Sequence, residues 1–294
     1  SDSLPLELAM FLNFAPDHLD YHRSEAAYFS AKQRIFKGAS QYLCNREDER
    51  SWPLGVQDPA TVISFGFDQP RGLGTGLELD LDGRELIIAR ARDGLELRLP
   101  ASGFPLAGRH NLANLLAALA ALVALQPQPD LQRLRASVDG FAGLPHRCER
   151  VGASGGVEFI NDSKATNVAA TVAAIEGLAP EVDGRVLLLV GGDAKDAELA
   201  ALRAAVADRV ALVICYGADG PRFAAALADT AAVQPVDTAA AAFAAAVAEA
   251  RSGDLVLLAP AAASFDEFAN FAARGDWFRE QVARHVGRQE AQPC

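Results

Sequence analysis

The chain has 294 residues, half of them hydrophobic and 22% charged; this is enough for about two packed domains and excludes a disordered or fibrous protein. With 38 acidic against 27 basic residues the net charge is −11, which repels a phosphate backbone and argues against general nucleic-acid binding, though not against a small phosphorylated ligand. No apolar run reaches the roughly 18 residues that span a bilayer, and Cys44, Cys148, Cys215 and Cys294 form no CxxC pair or metal spacing, so they read as free thiols of a reducing cytoplasm.

The opening Ser1-Asp2-Ser3-Leu4-Pro5 has neither a starting Met nor the basic region of a signal peptide, and the sequence is expected to begin inside a longer protein. Phe11-Leu12-Asn13-Phe14 reads as an apolar strand end running into the turn Ala15-Pro16-Asp17-His18, and 26–36 as a helix with Tyr28, Ile35 and Phe36 as its apolar members. Over 61–99 the period becomes two, with Asp82-Gly83 and Asp93-Gly94 as turns, which predicts a meander of hairpins. Ala/Leu-rich helices follow over 111–125 and 131–141. Gly143-Leu144-Pro145-His146 then reads as a hinge. Beyond it, short apolar strands at 157–160, 186–190, 210–216 and 255–258 alternate with Ala-rich helices, the pattern of a doubly wound parallel sheet. Such sheets bind ligands in the loops at the carboxyl ends of their strands.

Several unusual residues fall in those loops. The segment 159–167 (FINDSKATN) packs an anion, a cation, two hydroxyls and amides between a strand and a helix start, a setting suited to phosphate or carboxylate. In 189–195 (LVGGDAK) two glycines let the backbone leave a strand sharply, with Lys195 beyond them. In 260–266 (PAAASFD) Ser264 could cap the next helix, with Phe271 two turns along it. Asp17-His18-Leu19-Asp20, with Lys32 a helix away, offers donors to a divalent ion. In 108–114 (GRHNLAN) the amides of Asn111 and Asn114 lie three apart on one helix face, where they could read a base edge. Arg147, beside Pro145, is placed to reach a phosphate. Each loop alone also has a plain structural reading as a cap, tight turn or ion pair. Three polar loops on one sheet edge favour a shared site. His22 and His285 read as surface residues, and no G-x-S-x-G elbow is present.

The segments LNFAPDHLDYH, AAYFSAKQRIF, GRHNLANLLAALA, GLPHRCE, INDSKATN, LLLVGGDAKD and APAAASFDEFANFAARGDWF occur in this order. Together, over nearly the whole chain, they resemble the Mur ligases, and the intact NDSKATN is similar to the branch that adds D-glutamate. The resemblance implies an α/β chain: a partial P-loop-type ATPase central domain with a β meander (1–143), then a Rossmann-like doubly wound C-terminal domain (144–294). It implies an ATP-dependent amide ligase of cell-wall synthesis that joins D-glutamate to UDP-N-acetylmuramoyl-L-alanine through an acyl phosphate, acting as a cytoplasmic monomer without membrane or nucleic-acid partners. His18 and Lys32 correspond to Mg²⁺ ligands, Lys32 after carbamylation. Asn111, Asn114, Arg147, Asp162 and Lys164 correspond to nucleotide contacts. Thr166, Lys195, Ser264 and Phe271 correspond to the D-glutamate pocket. His18, Lys32 and Lys195 are the candidate catalytic residues. The family's G-x-x-x-x-G-K-[ST] motif is absent from the 294 residues. The expectation is therefore a piece of the enzyme, without its N-terminal UDP-binding domain and inactive alone. The rival readings are a sister ligase such as folylpolyglutamate synthase, or a non-catalytic nucleotide-binding fragment.

Overall fold

The structure, a computed structural model, describes residues 5–15, 19–55, 61–70, 72–92, 94, 96–104, 106, 108–126, 129–194 and 197–290. The chain forms two compact units, Ser1–Pro105 with Asn111–Ala142, and Leu106–His110 with Gly143–Cys294.

In the first unit, strands β1 (Leu6–Phe11), β2 (Ala39–Asn45), β3 (Val62–Phe65), β4 (Gly74–Leu79), β5 (Glu85–Arg90) and β6 (Glu96–Pro100) form one sheet in that order. Between β1 and β2 lie helices α1 (Leu19–His22) and α2 (Glu25–Gln33), the latter capped by Ser24, whose Oγ accepts the Ala27 N–H. Helices α3 (Arg109–Leu125) and α4 (Leu131–Asp139) follow β6. Leu43, Ile63, Ile87 and Leu99 of the sheet pack with Leu112, Leu116, Leu119 and Val123 of α3, and Phe11 and Phe36 seed a second cluster with Phe14 and Phe29. The buried Thr75 hydroxyl donates to the Leu116 carbonyl at 2.7 Å, so even the polar atom under α3 is satisfied.

The sequence predicts hairpins throughout 61–99. The structure keeps them only for β4–β5–β6, which are antiparallel, whereas β3 runs parallel to β4. That parallel pairing is two residues deep, Ser64 with Gly74 and Phe65 with Thr75. The intervening turn is gathered around Arg46, whose guanidinium donates to Ser64 Oγ, Asp68 Oδ1 and the Asp68 and Thr75 carbonyls.

The second unit holds β7 (Glu149–Ser154), β8 (Val157–Asn161), α5 (Val168–Leu178), β9 (Val186–Gly191), α6 (Ala200–Arg209), β10 (Val210–Tyr216), α7 (Gly220–Leu227), β11 (Ala232–Pro235), α8 (Ala239–Glu249), β12 (Leu255–Leu258) and α9 (Phe271–Glu290). The sheet order is β11-β10-β9-β12-β8-β7, parallel except for β7 against β8. Every residue of β9 is buried, with Val186, Leu188 and Val190 in one core and Leu187 and Leu189 in the other. A strand apolar on both faces needs helices on both, which is why the alternating pattern yields a doubly wound sheet. At about 1.5–3 kcal/mol for each buried Val or Leu, this strand rivals the net stability of a whole domain, about 5–15 kcal/mol.

Helices α5, α6 and α7 pack with the first of these cores, and α8 and α9 with the second. Neighbouring strands β9 and β12 therefore send their chains to opposite faces. The crevice at their carboxyl ends is the topological switch point, where open α/β sheets take ligands.

Candidate functional site

Three loops meet at that crevice, and one side chain ties them together. Arg274 on α9 is fully buried. Its Nε donates to Ser163 Oγ (3.0 Å), its Nη2 to the Ser163 and Ala262 carbonyls (3.0 and 3.1 Å), and its Nη1 to the Gly191 carbonyl (3.4 Å). Those acceptors stand on the loops after β8, β12 and β9. Ser163 Oγ donates in turn to the Phe271 carbonyl (2.8 Å), which closes the ring onto the start of α9. Asp193 and Ala263 exchange two backbone hydrogen bonds of 2.9 Å, zipping the second loop to the third. Glycine is required here: a Cβ on Gly191 would lie 2.1 Å from the Tyr216 carbonyl oxygen, and one on Gly192 2.0 Å from that of Ala263.

Ser264 sits on this frame. It is 2% exposed, yet its hydroxyl has no hydrogen-bond partner among the described residues. A buried polar atom left unmet costs about 1–3 kcal/mol, so its retention points to a partner supplied from outside. The predicted cap is not its role: the helix beyond is α9, capped by Asn270, whose Oδ1 accepts the Ala273 N–H at 2.9 Å. Phe271 accordingly opens α9 rather than lying two turns into it. The first-turn N–H groups of a helix lack intrahelical acceptors and favour an anion.

The loop after β8 carries four of the predicted residues. Asp162 Oδ1 accepts the Cys148 N–H (3.2 Å), and burial pushes its carboxyl up to about 6, a rise opposed by the Cys148 hydrogen bonds and the charge of Arg147. Lys164 Nζ stands 3.9 Å over the Phe271 ring centroid. Thr166 lies one residue before Asn167, whose Oδ1 caps α5 by accepting the Ala170 N–H (2.9 Å). Arg147 is exposed, between His146 and Cys148, both in the left-handed region (φ 64° and 44°). Ala261, in the loop after β12, shares that conformation at φ 58°. Strain of roughly 1–3 kcal/mol per residue tends to gather at ligand sites. Three of the four described non-glycine residues with positive φ flank this crevice.

The second unit thus brings together Arg147, Asp162, Lys164, Thr166, Ser264 and Phe271. Lys195 lies outside the described residues, immediately beyond Ala194. In the first unit Asn111 is buried near the start of α3, Asn114 is exposed on the same helix, and Lys32 is exposed on α2 with Nζ 5.3 Å from the Tyr28 ring centroid. His18 lies outside the described residues. No group of three His, Cys, Asp or Glu side chains among the described residues could hold a metal. His22 and His285 are not plain surface residues: His22 packs on Tyr28 (5.0 Å between ring centroids) and His285 on Phe159 (5.8 Å).

Arg274 is the residue that sequence reading misses. A signal was present: Arg274, Phe278 and Val282 follow one another at steps of four and are all 0% exposed, so the arginine occupies an apolar stripe.

A doubly wound sheet with polar loops at its switch point places the second unit in the Rossmann-like α/β class. Residues 1–122 match the Mur ligase middle domain and residues 146–262 the Mur ligase glutamate ligase domain. The chain belongs to the Mur ligase family. It is 40% identical, over 96% of its length, to the UDP-N-acetylmuramoylalanine–D-glutamate ligase of Pseudomonas savastanoi pv. phaseolicola, covering 61% of that protein. It is 41% identical to the enzyme of the same name from Chromohalobacter salexigens, over 95% of this chain and 60% of the relative. The chain therefore spans about three-fifths of the length of these relatives. Among solved structures it is similar to the UDP-N-acetylmuramate–alanine ligase MurC of Thermotoga maritima (TM-score 0.66, 15% identity, 99% of this chain and 61% of that one). It is also similar to Mycobacterium tuberculosis folylpolyglutamate synthase complexed with ADP and AMPPCP (TM-score 0.68, 18% identity, 94% and 65%). At these identities the likeness is one of fold. No helix among the described residues is long and apolar enough to cross a membrane.

Proposed function

We propose that this chain is the larger part of an ATP-dependent ligase that joins D-glutamate to UDP-N-acetylmuramoyl-L-alanine. The observation that carries the reading is 40% identity along 282 residues to ligases of that name, in a chain whose switch point offers an unpartnered buried hydroxyl. Residues 1–143 act as part of the ATP-binding domain and 144–294 as the amino-acid-binding domain, in a cytoplasmic monomer. ATP phosphorylates the terminal carboxylate of the acceptor, and the amine of D-glutamate attacks the acyl phosphate to give the amide, ADP and phosphate.

In this reading Ser264 Oγ donates to a carboxylate of D-glutamate, beside the Phe271 N–H and Thr166, and Lys195, outside the described residues, serves the same ligand. Charge-assisted bonds of this kind in a water-poor crevice are the strong ones. Arg147 and Lys164 offer positive charge to nucleotide phosphates and Asp162 accepts from ribose hydroxyls; in the first unit the amides of Asn111 and Asn114 are suited to a base edge. Mg²⁺ is the ion such chemistry calls for, at His18 and a carbamylated Lys32. The described residues supply only an exposed lysine ammonium at that place, a cation and not a ligand. By themselves they do not fit the ion, so no step is derived through it.

The folylpolyglutamate synthase reading rests on fold similarity at 18% identity. The D-glutamate reading rests on more than twice that identity along the sequence. A phosphate-release assay on the longest natural polypeptide containing this chain, with ATP and UDP-N-acetylmuramoyl-L-alanine, decides between them. Release with D-glutamate and none with L-glutamate is expected. Release with a folate and L-glutamate, or no response to any amino acid, overturns the proposal.

A further inference from the structure

The turn between β10 and α7 touches none of the residues assigned above to a substrate, yet its aspartate is bonded in an unexpected direction. Asp219 occupies the position preceding α7, where an aspartate ordinarily accepts an N–H of its own helix. Here it makes no such bond, and Pro221 in the first turn of α7 removes one of the donors a cap would serve. The carboxylate instead reaches across to the loop after β9, where Oδ2 accepts the Ala194 N–H at 2.6 Å. The Asp219 N–H donates to the Gly192 carbonyl at 3.0 Å, so one residue grips the loop at two points from its main chain and side chain. Ala194 is the residue before Lys195. Between the two grips, Asp193 carries the paired backbone bonds to Ala263, and Ala263 is followed by Ser264 with its unpartnered hydroxyl. The same turn also reaches the third loop directly, since the Ala218 N–H donates to Asp266 Oδ2 at 3.0 Å.

We propose that Asp219 is a positioning residue for the amino-acid pocket: turned away from its own helix, its carboxylate fixes residues 192–194 and, through the Asp193–Ala263 pairing, the loop that presents Ser264 to a dicarboxylate. The inference rests on the D-glutamate reading and adds to it a residue that touches no substrate. The physical ground is the direction of the bond. A charge-assisted hydrogen bond to an anion is worth more than an ordinary one, and the fold applies it to the loop rather than to the helix end. Arg274 fixes the loops from below through Gly191 and Ala262, and Asp219 fixes the next residues from the neighbouring strand.

The test compares Asp219→Ala with Asp219→Asn in steady-state phosphate release on the longest natural polypeptide containing this chain, together with a thermal melt of each variant. Asp219→Ala is expected to raise the KM for D-glutamate about tenfold, a change of about 1.4 kcal/mol, and to leave the KM values for ATP and UDP-N-acetylmuramoyl-L-alanine within twofold. Asp219→Asn keeps an acceptor oxygen without the charge and is expected to recover about half of that loss. A merely structural aspartate would lower the melting temperature or kcat with the D-glutamate KM unchanged, or would raise all three KM values together, and either result overturns the inference. An Asp219→Asn variant as impaired as Asp219→Ala overturns it as well. Should Asp219→Ala fail to fold, Asp219→Glu, which keeps the charge but overreaches the bond, takes its place with the same expected split. If the unsubstituted protein gives no phosphate release with D-glutamate, the functional reading has failed and the inference falls with it. If the unsubstituted protein does turn over, a failure confined to the variants counts against Asp219 alone.

Discussion

Two arginines tie strand β9 to strand β12, one at each end of the second sheet, and they do it by different chemistry. At the amino end Arg185 precedes β9 and Asp254 precedes β12. Arg185 donates to both Asp254 oxygens (2.6 and 3.3 Å), and the buried carboxylate also accepts the N–H groups of Arg185 and Arg251. At the carboxyl end Arg274 is bonded to three carbonyls and a hydroxyl, and no carboxylate lies within ion-pair distance of it among the described residues. The first arrangement is closed, with charge matched by charge. The second holds the loops in register and leaves its positive charge unmatched by any direct ion pair. The nearby Glu267 carboxylate is engaged instead by the N–H of Ala239 at 3.1 Å. The contrast teaches that one fold can build a scaffold and a site from the same residue type. What separates them is whether the polar groups are satisfied internally, as around Asp254, or left open, as at Ser264.

The largest effect is expected from Arg274→Met. It leaves the carbonyls of Ser163, Ala262 and Gly191 without their donor, each worth about 1–3 kcal/mol when buried, offset in part because a buried charge is also removed. Urea unfolding should show a loss of about 3 kcal/mol. Arg274→Lys should recover less than half of it, because an ammonium cannot span three loops. A loss below about 1 kcal/mol would mean that the loops are held by other contacts.

Asp254→Ala breaks the closed end and should cost about 2 kcal/mol in the same measurement, with the D-glutamate KM untouched, since the carboxylate lies at the far end of the strands. Burial alone would raise the Asp254 carboxyl, but the hydrogen bonds from Arg185 and Arg251 outweigh it and hold it below its ordinary 3.8. Its stabilising contribution is therefore fully present above that value and fades as pH falls through the lower folded-state value. A D-glutamate KM that moved with this substitution would erase the distinction between the two ends.

Asp162 gives the smallest expected change, of opposite sign. Its carboxyl is pushed up to about 6 from 3.8, chiefly by burial, so its ionisation opposes folding at neutral pH. That opposition fades as pH falls through about 6 and is gone below the ordinary value. Asp162→Asn should raise stability by about 1 kcal/mol at pH 8 and by nothing at pH 4, while raising the KM for ATP. A variant less stable than the parent at pH 8 contradicts the burial argument.

The doubly wound half of the fold was readable because β9, β10 and β12 are uninterrupted apolar runs, a signal for strands covered on both faces, and β8 (VEFIN) is broken only by Glu158 before its final Asn161. The edge strands were not. β7 (ERVGAS) and β11 (AVQP) are polar or short, as edges tend to be, and β2 (ASQYLCN) carries serine, glutamine and asparagine that blur its period. The residues proposed for the site in the second unit stood out in the sequence because loops at strand ends concentrate unusual side chains. Arg274 and Asp219 were not found. The first resembles the charged face of an amphipathic helix, and the second reads as an ordinary cap. The step-of-four stripe with Phe278 and Val282 marks the first as inward-facing, whereas nothing in the sequence shows that the second bonds a different loop.

The most direct measurement is the response of D-glutamate binding to Ser264→Ala, read as the KM for D-glutamate beside the urea-unfolding stability of the same variant. Removing a hydroxyl that has no partner in the fold should leave the protein no less stable, and up to about 1–3 kcal/mol more stable, while the KM rises about tenfold or more. A variant that loses stability but keeps its D-glutamate KM would show that the hydroxyl serves the protein and not the substrate, and would contradict the assignment of the switch point as the amino-acid site.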